Sequence, residues 1–135
     1  MKFIILLCSF ALTCLSANSQ VRTMYSDSQT LDTVSNTGTA TWFTTSGSQF
    51  SNYSLQINIT KISGTVGGTL RVVYSNDGTN WYSFAGDSTI TPTDATGSYG
   101  WQLRDISAPY IGVKWTGTGT MSGSASATLN PRRDI

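Results

Sequence analysis

Beyond residue 38, apolar and polar side chains trade places at nearly every step. From Tyr53 to Ile59, the apolar set Tyr53, Leu55, Ile57 and Ile59 alternates with Ser54, Gln56 and Asn58. A period of two sets one face of a strand on a core and the other in water. Leu70, Val72 and Tyr74 repeat the pattern with Arg71 and Ser75 outward, and Tyr99, Trp101 and Leu103 repeat it with Gln102 and Arg104 outward. Further strands are predicted through Ile111, Val113 and Trp115 and through Met121, Gly123, Ala125, Ala127 and Leu129. This last strand offers mostly small residues to the core, so a bulky side chain or another backbone must pack closely across from it. Thr39 to Thr45, around Trp42 and Phe43, reads as strand from its β-branched and aromatic content. No useful stretch repeats at 3.6.

Turn formers punctuate these runs at short intervals: Gly64 to Gly68, Asn76-Asp77-Gly78, Ala85-Gly86-Asp87, Pro92 to Gly97, Ala108-Pro109 and Gly117-Thr118-Gly119. The chain is therefore expected to be all-β, with about eight strands in one domain. Two arrangements suit such strands, an antiparallel two-sheet β-sandwich or jelly roll and a closed barrel. The sandwich is favoured because several loops are long enough to cross between sheets. The domain is expected over residues 38–130. It follows an N-terminal arm over 20–37, with a short strand near Leu31 to Val34, and precedes an exposed tail over 131–135.

The first residues have a different character. Lys2, the apolar run Phe3 to Leu15 and the small residues after it form the layout of a signal peptide over residues 1–19. About 13 apolar-dominated residues are short for a bilayer span. Ala17 and Ser19 suit the small-residue positions of a cleavage site, which leaves Gln20 as the new N-terminus. Lipid attachment at Cys14 is the competing reading, but Ala11-Leu12-Thr13-Cys14 lacks the usual flanking residues. The chain is thus expected to be exported: secreted, at a cell surface or associated with a virion. No membrane span is expected in the mature chain.

Composition narrows the chemistry. Ser, Thr and Gly supply 53 of the 135 residues, while His and Glu are absent. Cleavage after Ser19 removes both cysteines, Cys8 and Cys14, and leaves seven basic residues against seven aspartates. Packing must then stabilise the fold without disulfides, and a chain of this size buries about 65% of its unfolded surface. Without a concentrated positive field, nucleic acid is not an expected partner. Serine and cysteine nucleophiles have no histidine base, and the usual nitrogen and sulfur ligands of zinc are missing. Asp77, Asp87, Asp94 and Asp105 could in principle supply a glycosidase pair, but each sits in a turn context that already accounts for it. No enzyme activity, cofactor or metal is expected.

The run Val72-Val73-Tyr74-Ser75-Asn76-Asp77-Gly78-Thr79-Asn80-Trp81 resembles the discoidin, or coagulation-factor C-type, modules. In those a strand ending in Tyr-Ser precedes an Asp-Gly turn and a Trp that opens the next strand. Ala108 to Lys114 is similar to the penultimate strand of that family, which usually carries arginine where Pro109 and Gly112 stand. The Asp-Gly-Thr-Asn-Trp signature is also similar to small β-sandwich subunits of phage virions and bacterial surface proteins. The resemblance implies a galactose-binding-like jelly roll and transfers no binding residue. In physical terms, Asp77-Gly78 suits the positive-φ positions of a tight hairpin, and Trp81 follows ready to pack.

Aromatic and amide side chains are what remains for recognition. Tyr82 and Tyr110 fall on the opposite register from Trp81 and Ile111, which predicts exposed rings able to stack on sugar faces. Asp77, Asn80, Tyr82 and Tyr110 are therefore the candidate ligand-binding residues. Two functions fit: a binding module for a glycan or cell-surface component, and a structural subunit that assembles with copies of itself. The low charge and the Ser/Thr-rich strand faces suit the second, since sparsely charged edges need covering.

Overall fold

The computed structural model describes residues 21–26, 33–47, 50–85 and 89–132. The predicted signal peptide and its cysteines, Leu31 and Asp32, the turn residues Gly86 and Asp87, and residues 133–135 lie outside the described residues. Ten strands are present among the described residues: β1 (Arg22–Thr23), β2 (Tyr25–Ser26), β3 (Thr33–Ser35), β4 (Thr39–Thr45), β5 (Asn52–Gly64), β6 (Thr69–Ser75), β7 (Tyr82–Ser83), β8 (Gly97–Leu103), β9 (Tyr110–Thr116) and β10 (Met121–Arg132). They form two antiparallel sheets, so the chain is the expected all-β sandwich.

The first sheet runs β1-β10-β5-β8, with β3 pairing the same strand, β10, farther along; the second runs β2-β4-β9-β6-β7. From β4 to β10 the chain changes sheet at every connection except β6 to β7. Hairpins are thus nearly absent, and loops such as those after β7 and β8 serve as crossings between layers. The predicted arm is drawn into both sheets. β1 pairs β10, β2 pairs β4, and Met24 between them is buried with its N–H on the Ala127 carbonyl at 2.9 Å. At the far end, Pro131 and Arg132 continue β10, which pairs with β5 as far as Asn52.

Alternation decides the core. Tyr53, Leu55, Ile57 and Ile59 of β5 are buried, as are Leu70 and Val72 of β6, Ile111, Val113 and Trp115 of β9, and Ala125, Ala127 and Leu129 of β10. Trp101, Tyr99 and Leu103 of β8 are half-buried against the same cluster. The pattern slips once. Ser122 pairs Ser63 while Gly123 pairs Lys61, so Ile62 is the extra residue of a bulge and stays exposed.

The small-residue strand has the bulky partner its sequence calls for. A Cβ on Gly123 would stand 2.6 Å from the far carbon of the Trp115 ring, reaching across from the other sheet. Trp115 cannot retreat, because its Nε1–H donates to the Gly67 carbonyl at 3.0 Å and its ring packs against Trp42. We expect Gly123→Ala to lower stability by about 1–3 kcal/mol through overpacking. In urea titrations, Trp115→Phe should recover part of that loss in the double variant, a non-additive outcome for residues in contact.

Candidate functional site

The loop after β6 owes its shape to two side chains. Asp77 Oδ1 accepts from the backbone N–H groups of Thr79 and Asn80 at 2.8 Å, and its Oδ2 accepts from Asn80 Nδ2 at 2.8 Å. Ser75 Oγ accepts from the Asp77 and Gly78 N–H groups and donates to Asp77 Oδ1. The bonds from Asn80, then Thr79 and Ser75, hold the Asp77 carboxyl well below the usual carboxylate range. Only Gly78 takes positive φ here, at 73°. Asp77 is therefore an acceptor that caps a six-residue loop, not a positive-φ residue of a tight hairpin. A carboxylate gains more from several N–H donors than a two-residue turn could supply.

The loop folds back over the outward face of the second sheet. Trp81 lies over Gly112, where a Cβ would stand 3.3 Å from the indole, and packs on Phe43 with ring centroids 4.9 Å apart. It helps to cover Val73, which is 2% exposed although it points away from the core. Tyr110 is half-buried beneath the turn, its ring 3.4 Å from a Cβ position on Gly78. Tyr82 pairs Tyr74 and shares its face, toward the core side at the rim, where the rings lie 5.9 Å apart. Tyr82 is 55% exposed. Asp77, Asn80 and Tyr110 thus gather at one loop while Tyr82 belongs to the opposite face of the sheet. The expected exposure of Tyr110 does not hold, because the turn closes onto its ring.

A different surface emerges from register. On the outward face of the first sheet, Asn130, Ser54 and Gln102 lie side by side across β10, β5 and β8. The next rows are Thr128, Gln56 and Gly100, then Ser126, Asn58 and Ser98. All nine positions are uncharged, and eight carry a hydroxyl or an amide. Gly100, lacking a side chain, leaves a depression of about 450 Å³ bordered by Val21, Gln56, Gln102, Thr128 and Asn130. Gln56 Nε2 and Ser98 Oγ both donate to Asn58 Oδ1, at 2.8 and 2.7 Å, and Arg132 donates to Gln102 Oε1 at 2.6 Å. Among the described residues no donor reaches the buried Asn130 Oδ1. Sequence reasoning marked these residues only as the solvent side of their strands. The signal was present in the identities of the outward positions, which become a grid once the strand order is known.

The described carboxylates, Asp77, Asp94 and Asp105, occupy three separate connections. Asp94, between β7 and β8, accepts from Lys61 Nζ at 2.8 Å and from the Val66 N–H at 2.7 Å, and these bonds lower its pKa. Asp105, between β8 and β9, has φ of 56°. Among the described residues no three His, Cys, Asp or Glu side chains gather into a group that could hold a metal ion.

No family model and no curated protein matches the sequence. Among solved structures, the chain is similar to one described as "CBM4 structure and function", with 9% identity and a TM-score of 0.44 over 73% of this chain and 65% of that one. It is also similar to the N-terminal cellulose-binding domain of Cellulomonas fimi β-1,4-glucanase C, with 10% identity and a TM-score of 0.45 over 76% of this chain and 78% of that one. A third is the Family 16 Carbohydrate Binding Module-2, with 14% identity and a TM-score of 0.39 over 72% and 73%. None of the three is described as a discoidin module. Likeness this distant carries no argument about ligand.

The bonds at Asp77 have a consequence for pH. A carboxyl whose folded pKa lies below its unfolded value near 3.9 stabilises the fold above that value, and the contribution is lost as pH falls through the folded pKa. Wild type should therefore exceed Asp77→Asn in urea midpoint at neutral pH. The gap should narrow as acid is added below about pH 4, and Asp94→Asn should follow the same course.

Proposed function

We propose that the chain is a non-catalytic, exported glycan-binding module, and that the uncharged grid of β10, β5 and β8 is its binding face. The observation that carries this reading is nine neighbouring outward positions without a charge, two rows of which line a depression. Neutral amides and hydroxyls bond sugar hydroxyls as donors and acceptors alike, and they suffer little of the desolvation cost that a charge would incur. Gln56 on β5 pairs the open Gly100 position and Gln102 lies two residues along β8, with Asn130 and Thr128 across β5 from them. Export rests on the signal layout of residues 1–19. Tyr82 at the rim is a second place where a sugar face could stack.

A structural role has one observation in its favour. β8 is a sheet-edge strand of seven residues, Gly97 to Leu103, with neither a charge nor a proline. Edges of that kind invite pairing with another copy.

Native affinity gels containing neutral soluble polysaccharides (glucans, xylan, mannan, galactan) test the proposal. Mobility of the mature chain should fall in at least one of them. Gln56→Ala and Gln102→Ala should each weaken binding by about tenfold, the worth of one hydrogen bond lost at a desolvated site, with the fold intact by circular dichroism. Free migration in every gel, together with a defined large oligomer by light scattering, would establish the assembly role instead.

A further inference from the structure

The two outward faces of the sandwich differ in one respect that the sugar grid leaves unused. On the second sheet, Arg71 of β6 and Lys114 of β9 are direct cross-strand partners. Both are exposed. Like charges set opposite one another on a sheet repel, and nothing anionic relieves this pair among the described residues. The one ion pair there is Lys61 with Asp94. Among the described residues Arg71 donates to neutral oxygens, Ser83 Oγ at 3.4 Å and Thr89 Oγ1 at 3.2 Å. Asp77, the described carboxylate of the neighbouring loop, is engaged by Asn80, Thr79 and Ser75.

The surroundings are shaped to receive something. Arg71 and Lys114 border a depression of about 220 Å³, with the hydroxyls of Thr69 and Thr116 on one side and the Trp81 indole on the other. Thr69 and Thr116 are themselves cross-strand partners. We infer that this pocket is a second binding site, for the sulfate or carboxylate group of an acidic saccharide. The anion sits between the Arg71 guanidinium and the Lys114 ammonium, where charge-assisted hydrogen bonds are strongest. The threonine hydroxyls meet the sugar's own hydroxyls, and Trp81 offers an apolar wall to its ring. Two cations on a chain that is otherwise nearly neutral suit a single anionic group. A phosphate backbone calls for a longer basic track.

The site is independent of the neutral grid, which lies on the opposite face, and the test separates them. Binding of dextran sulfate and of unsulfated dextran of equal length is compared by titration calorimetry for wild type, Arg71→Gln, Lys114→Gln, Lys114→Arg and Gln56→Ala. Sulfated dextran should bind wild type more tightly than dextran does, by a margin that shrinks as salt rises. Arg71→Gln and Lys114→Gln should each reduce that margin about tenfold, whereas Lys114→Arg should keep it and Gln56→Ala, which acts on the dextran arm, should not narrow it. Without ligand, Lys114→Gln should melt no lower than wild type, because it removes a repulsion. Equal binding of the two dextrans, a margin that survives both glutamine variants, or equally tight binding of a short DNA duplex would overturn the site. Loss of dextran binding in Gln56→Ala alone bears only on the grid.

Discussion

Trp115 can lie across the sandwich only because the strand facing it is built from small residues. Its ring reaches from β9 to within contact of Gly123 on β10, and its indole N–H is tied to Gly67. That contact sets how closely the two sheets approach at this end of the sandwich, and the Trp42 ring packs beside it at 6.4 Å. With the interlayer distance decided there, the alternation along β5 and β10 has no freedom. Every second residue from Tyr53 to Ile59 is buried, and every other one must face water. Slippage by one residue would move the whole apolar set outward. The single bulge at Ile62 comes at the end of β5, past the last of those buried residues.

Because the core side is so strictly determined, the outward sides are free to differ, and they do. The face of β10, β5 and β8 carries hydroxyls and amides in register, with one glycine opening a depression. The face of β4, β9 and β6 is partly covered by its own loop, whose tryptophan needs Gly112 beneath it. Beside that cover, Arg71 and Lys114 remain as adjacent cations. A sandwich so arranged offers two surfaces of unlike chemistry about one core, the first suited to uncharged hydroxyl-rich ligands and the second to an anionic group. The Asp77 loop contributes by holding Trp81 in place, since its hydrogen bonds turn inward on the loop itself.

Much of this was legible along the chain. Period-two alternation located β5, β6, β8, β9 and β10, β-branched and aromatic content located β4, and the run of small residues in β10 announced a large partner. The short strands β1 and β2 escaped notice because two residues carry no period; they exist through pairing with β10 and β4. Tyr110 was marked as exposed from register alone. Register describes which face a residue occupies but not whether a loop later covers that face, and the turn at Gly78 does.

What the residues settle by themselves is local: which side chains of a strand share a face, where the chain must bend, and which catalytic chemistries lack their groups. Which strands become neighbours is decided by the folded whole, because pairings such as Leu55 with Leu129 join segments far apart along the chain. Asn130, Ser54 and Gln102 therefore become a row, and Arg71 and Lys114 a pair, only after long-range hydrogen bonding has ordered the sheets. A binding face on a β-sandwich is a property of strand order, and strand order is carried by no single stretch of sequence.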